Sequence, residues 1–221
     1  MAHSGGTSFG IQVAARAPEL YHAYIGIAQM AYQPKSEQLA YEYMLKRFEE
    51  VGDKRMVRKL EEAVPATGPL PLSYMRSLLR DDAMHRLGIG TTHDMKSIIS
   101  GVLLGTWQCR EYTFGEKINL WRGKSFSSSP SFDLWNKTFE TDITAMVPKL
   151  NLPVYFFHGV YDYTVNYSLT KDYFDKLQAP LKGFYTFEHS AHSPLFEEPE
   201  RMRLILREDV LVGANALADR D

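Results

Sequence analysis

Apolar positions along the 221 residues fall into two textures. Tyr21 to Ala28 (YHAYIGIA), Leu152 to Gly159 (LPVYFFHG) and Gly183 to Glu188 (GFYTFE) are short, nearly unbroken apolar and aromatic runs. That is the form of strands buried on both faces of a parallel sheet. Between the first two runs the period lengthens to three or four. Ser36 to Gly52 carries Leu39, Tyr43, Leu45 and Phe48 at helical spacing, with Ser36 as N-cap and Gly52 as stop. Asp53 to Val64 continues the pattern up to the breaker run Pro65-Ala66-Thr67-Gly68-Pro69-Leu70-Pro71. Further helices are predicted from Ser73 to Leu87, Thr92 to Gln108 and Ser131 to Met146, with Ser125 to Pro130 (SFSSSP) as a polar linker.

Outside this helical stretch, strands and helices alternate. Thr7 to Ala17 is rich in small residues and stopped by Pro18, which suits a helix packed closely on a sheet. Ser168 to Leu177 reads as an amphipathic helix and Glu198 to Val212 as a last helix. Strand, helix, strand, helix with short links implies right-handed crossovers. The reading is an α/β protein whose parallel sheet has about three strands. Residues 1–28 and 149–221 form its core, and residues 29–148 a helical insertion.

Composition narrows the partners. Apolar residues make up 44% and charged residues 24%, with a net charge of −2 and no basic run, so neither nucleic acid nor a membrane surface is expected as partner. A single cysteine, Cys109, excludes an intramolecular disulfide framework. With no apolar run near the roughly 20 residues a membrane span needs, a cytoplasmic protein acting on a small molecule is expected. No cofactor is expected: Gly88-Ile89-Gly90 lacks a third glycine and a preceding strand, and the seven histidines show no metal-ligand spacing.

Three polar residues sit where chemistry gathers in open α/β sheets, just past the carboxyl ends of strands. Ser4 lies at the turn into the first helix, Asp162 three residues beyond Gly159, and His192 in the loop after the last strand. Singly, a serine among glycines is a helix cap, an aspartate after a strand is a turn residue and a lone histidine is structural. Together they match a mechanism: a serine hydroxyl needs an imidazole to take its proton, and the imidazole needs a carboxylate to fix its tautomer. The Gly5 N–H, at a helix N-terminus, would face the developing oxyanion. His189 competes with His192 for the base but directly follows the strand. Asp172 and Asp175 fall on the outer face of a predicted helix and are poor rivals of Asp162.

These motifs resemble the α/β-hydrolases, and most of all the proline iminopeptidase-like branch. Ala2-His3-Ser4-Gly5-Gly6 resembles the nucleophile elbow G-x-S-x-G, with Ala2 in place of the first glycine. Pro153 to Val165 resembles the acid-bearing strand end, and Ser190-Ala191-His192-Ser193-Pro194 through Glu197-Glu198-Pro199 the histidine loop. The likeness runs over essentially the whole chain. It implies that the insertion is a lid over the site, where Tyr32, Tyr41, Tyr43, Tyr74, Trp107, Tyr112, Trp121 and Trp135 either line a pocket or form the lid's own core. An aminopeptidase would also need a lid carboxylate for a free amine, and Glu111 is the candidate, although its neighbour Arg110 offers a plain surface pair.

The same resemblance implies that only the second half of the fold is present, without the strands before the elbow and the loop supplying a second oxyanion N–H. A short parallel sheet would then carry an exposed edge, inviting a second copy or another chain. Losing one oxyanion donor costs about 10²–10³ in rate. Two readings follow: a serine hydrolase of ester, amide or short peptide substrates, and a catalytically impaired half-fold that binds or assembles.

Overall fold

The computed structural model describes residues 1–97, 99–127, 129 and 133–220. Its centre is a parallel sheet of four strands in the order β1 (Ala2–His3), β2 (Tyr24–Ile27), β3 (Val154–Gly159) and β4 (Lys182–Phe187). The three expected strands are present. The fourth is a two-residue strand, too short to show a period: Ala2 pairs with Gly26 and His3 with Ile27, and the Ser4 N–H extends the pairing to the Ile27 carbonyl at 3.0 Å.

Unbroken apolar runs follow from burial on both sheet faces. On one face Tyr24, Val154, Phe156 and Phe184 pack against α1 (Gly5–Arg16) through Ile11 and Ala14. Tyr173, Phe174 and Leu177 cover the same face from the helix that joins β3 to β4. On the other face Ile25, Ile27, Tyr155, Phe157, Tyr185 and Phe187 meet Met202 and Ile205. Burying each such large side chain is worth about 1.5–3 kcal/mol. Gly10 lets α1 approach: a Cβ there would lie 2.8 Å from the Ala2 Cβ.

The helical segment has its own core of Met44, Phe48, Met56, Leu60, Tyr74, Met84 and Ile89. It comprises α2 (Gln33–Glu50), α3 (Lys54–Ala63), α4 (Leu72–Met75), α5 (Leu78–Arg86), α6 (Leu104–Gln108), α7 (Phe114–Ser127), α8 (Asp133–Glu140) and α9 (Ile143–Met146). Asp53 caps α3 by accepting the Met56 N–H at 3.0 Å, and Gly52 takes φ +74 before it. The N-cap expected at Ser36 is not one. Pro34 sits in the first turn of α2, which starts at Gln33, and the buried Ser36 Oγ accepts the Asn166 N–H at 2.7 Å. A buried bidentate pair joins α2 to α5, with Arg80 Nε and Nη2 each 2.7 Å from a Glu37 oxygen.

Three other expectations shift. The helix from Ser73 to Leu87 is two, because Ser77 caps a new start by accepting the Arg80 N–H at 3.1 Å. The helix expected from Thr92 is a loop as far as Ser97, followed by a π-turn (Ile99–Leu103) and α6. α7 was not foreseen, and Ser125 to Ser127, read as linker, close it. It buries none of its residues, so no clean period marks it. Pro130, the expected helix start at Ser131 and the side chain of Trp135 lie outside the described residues.

After β3 come α10 (Tyr167–Lys176), β4, α11 (Pro194–Glu197) and α12 (Pro199–Ile205). β1 pairs with β2, and the exposed Met1, Phe9, Val13 and Tyr21 line a cleft of about 310 Å³ together with Ala2 of β1. No helix among the described residues is long and apolar enough to cross a membrane.

Candidate active site

Ser4 occupies the sharp turn between β1 and α1 with φ 56 and ψ −133, a conformation a side chain adopts at a cost of about 1–3 kcal/mol. The surroundings hold it there. The Thr7 hydroxyl donates to the Ser4 carbonyl at 2.6 Å and accepts the Met30 N–H at 3.0 Å, tying the first turn of α1 to the end of β2. The buried Tyr24 hydroxyl, 2.6 Å from Gln29 Oε1 and 3.3 Å from the Thr7 carbonyl, braces the same turn. Gly5 opens α1, where N–H groups have no intrahelical acceptor.

Asp162 is fully buried in the turn after β3, closed by its N–H to the Gly159 carbonyl at 3.1 Å. Its Oδ1 accepts the Val165 N–H and its Oδ2 faces His192 Nδ1, both at 2.9 Å. The other ring nitrogen, His192 Nε2, lies 2.7 Å from Ser4 Oγ. Because a carboxylate can only accept, Nδ1 carries the proton, and Nε2 of the neutral ring is free to accept the serine hydroxyl. Burial alone would raise the Asp162 carboxyl, but the His192 ring and hydrogen bonds from His158 and His192 outweigh it and hold the group well below the usual carboxylate range.

Further groups at the site escaped sequence reasoning. His3 Nε2 donates to the His192 carbonyl at 2.9 Å, with the rings 5.0 Å apart; desolvation against that loop, then the His192 ring, lowers its pKa. Fully buried His158 lies on β3, 2.9 Å by its Nε2 from the Val165 carbonyl and 3.2 Å from Asp162 Oδ2. Glu197 clamps the histidine loop: one oxygen accepts the Ala191 and Ser193 N–H groups at 3.0 and 3.3 Å, the other the His93 N–H at 2.5 Å. Burial pushes its carboxyl up, partly offset by those donors. The only sequence signal for His158 was a polar residue in an apolar strand; Glu197 offered none beyond closeness to His192.

The rivals lie apart from this cluster. His189 is exposed, its N–H bonded to Glu198 Oε1 at 2.9 Å. Asp172 and Asp175 are exposed on α10, with Asp175 3.6 Å from Lys171.

The helical segment meets the site through residues 88–93. Gly90 accepts the His192 N–H, Ile89 the Tyr163 N–H, and His93 stacks on Tyr161 at 3.9 Å. A cleft of about 790 Å³ is lined by Thr91, Met95, Val102, Thr106, Phe196 and Ser193, the residue after His192. Trp107 and Trp121 line a second, of about 910 Å³. Tyr112 is exposed, and the exposed Glu111 accepts the Cys109 thiol at 3.0 Å. Tyr41, Tyr43 and Tyr74 belong to the helical core, with Tyr43 stacked on Tyr163 at 4.2 Å. Among the described residues, no group of three or more His, Cys, Asp or Glu side chains could hold a metal ion.

No family model matches the chain. It is 26% identical over 198 residues to a protein of Bacillus subtilis (strain 168) described as probable aminopeptidase YbaC, a match covering 89% of this chain and 60% of that protein. The crystal structure of VinJ superposes with a TM-score of 0.56 at 14% identity, covering 94% of this chain and 63% of VinJ. MGS-M2, an α/β hydrolase enzyme from a Medee basin deep-sea metagenome library, gives 0.47 at 14% identity, covering 99% and 66%. The chain thus spans about three fifths of the length of the proteins it first matches.

Proposed function

We propose that this chain is a serine hydrolase of the α/β-hydrolase type cleaving an ester or amide bond, with Ser4 as nucleophile, His192 as base and then acid, and Asp162 orienting His192, a reading that the parallel sheet and the likeness to VinJ support. The observation that carries this reading is the continuous contact from Ser4 Oγ through both His192 nitrogens to Asp162 Oδ2, 2.7 and 2.9 Å, on a serine at positive φ. Ser4 Oγ attacks the carbonyl carbon as its proton passes to His192 Nε2, and the oxygen, now charged, faces the Gly5 N–H. His192 returns the proton to the leaving alkoxide or amine, that bond breaks, and Ser4 is left acylated. Water deprotonated by His192 then releases the acid and restores the hydroxyl.

In this reading residues 1–28 and 149–221 are the catalytic core and residues 29–148 a lid. The cleft that Ser193 lines receives the substrate, with Trp107 of the second cleft and Tyr112 as further contacts. A peptide substrate with a free N-terminal amine, proline included, fits the likeness to a probable aminopeptidase, and Glu111 is the carboxylate offered for that amine. The exposed rim of β1 supports a second reading, in which the chain binds or assembles through that edge. A fluorophosphonate probe decides between them: intact mass is expected to rise by one probe adduct in the wild type and not in Ser4→Ala. A folded, unlabelled wild type would leave the assembly reading.

A further inference from the structure

We propose that His158 is a positioning residue of this site, holding Asp162 in line with His192 through a proton on its Nε2. The inference rests on the reading of Ser4, His192 and Asp162 given above. The Val165 carbonyl, 2.9 Å from His158 Nε2, can only accept, so that nitrogen carries the proton, and the same proton faces Asp162 Oδ2 at 3.2 Å. The Val165 N–H meanwhile bonds Asp162 Oδ1 at 2.9 Å. One imidazole therefore holds the carbonyl of Val165, the residue whose N–H holds one carboxylate oxygen, and approaches the other oxygen itself, the one that receives His192 Nδ1–H.

The opposite nitrogen shows what this costs. His158 Nδ1 is buried with no hydrogen-bond partner among the described residues, while the ring is parallel to that of Phe184, 6.4 Å away between centroids, and edge-on to Tyr167. An unsatisfied buried polar atom is unfavourable, and an apolar side chain at this position in β3 would avoid it. What the imidazole adds is the donor on Nε2. Among the described residues, Asp162 and His3 face the His192 ring and Glu197 holds its loop backbone, and the contact of His158 is with Asp162.

The test uses the full chain with His158→Gln, whose amide N–H₂ reaches the Nε2 position, and the near-isosteric His158→Met, which has no donor. Two readouts apply: the second-order rate of labelling by a fluorophosphonate, and the low-field proton resonance of His192 Nδ1–H. In His158→Met the rate is expected to fall by about 10²-fold, as for a misplaced catalytic group, with the low-field resonance shifted or lost. His158→Gln is expected to recover most of the rate and the resonance, and a merely structural histidine would not produce that split. Wild-type rate and resonance in His158→Met, or no recovery in His158→Gln, overturns the proposal. If His158→Met does not fold, His158→Phe supplies the donor-free case and keeps a ring against Phe184. If the wild type is not labelled, the hydrolase reading fails, and the resonance alone still decides whether His158 holds Asp162.

Discussion

At the residue scale the site is a set of acceptors and donors whose protonation the geometry dictates. Asp162 receives three polar hydrogens while fully buried, and its pKa is depressed accordingly. An acid with a depressed folded-state pKa contributes stability above its unfolded value, near 4, and loses it as pH falls through the folded value. The urea midpoint of the wild type is therefore expected to exceed that of Asp162→Asn at pH 7, with the gap closing below about pH 4. A gap that stays constant over that range would mean the carboxylate's charge does not stabilise the fold. Of these residues, Ser4, Asp162 and His192 could be picked out from chain order and position at strand ends. His3, His158 and Glu197 could not: His3 meets its partner 189 residues away, and the nearer partners of His158 and Glu197 are backbone groups and a carboxylate brought within reach only by the fold of their loops.

At the element scale, the loops that carry Asp162 and His192 meet at a glycine. A Cβ on Gly159 would lie 2.0 Å from the Ala191 carbonyl oxygen and 2.3 Å from that of Ser190, both backbone atoms that cannot rotate away. Gly159→Ala is expected to push the histidine loop off β3, costing about 1–3 kcal/mol as overpacking does. Fluorophosphonate labelling should be lost while circular dichroism keeps its helical signal, and normal labelling would show that the loop has slack. The elements themselves were legible where burial imposes a period. β2, β3 and β4 are buried on both faces, and α2 and α3 pack on a shared core. α7 was not legible because it buries nothing, and β1 because two residues carry no period.

At the scale of the whole molecule, the sheet is covered on both faces but open at β1. In the assembly reading, the exposed Phe9, Val13 and Tyr21, which line one cleft with Ala2 of β1, are where a second chain docks. Light scattering is expected to give a mass above that of the monomer, and Val13→Glu is expected to lower it. A monomer with the wild-type edge would remove the assembly reading. The buried Arg80–Glu37 pair joins two helices of the helical segment, and the Gly90 and Ile89 carbonyls, accepting the His192 and Tyr163 N–H groups, tie that segment to the site loops.

By itself the sequence determined the class of the fold, the core strands and the three residue types suited to serine chemistry, because these follow from local periodicity and from position at strand ends. Only the tertiary structure decided which histidine meets Ser4, which tautomer it holds, and that His158, His3 and Glu197 surround it. Those facts are distances between loops far apart in the chain, set by how the strands pair and how closely Gly10 and Gly159 let their neighbours approach.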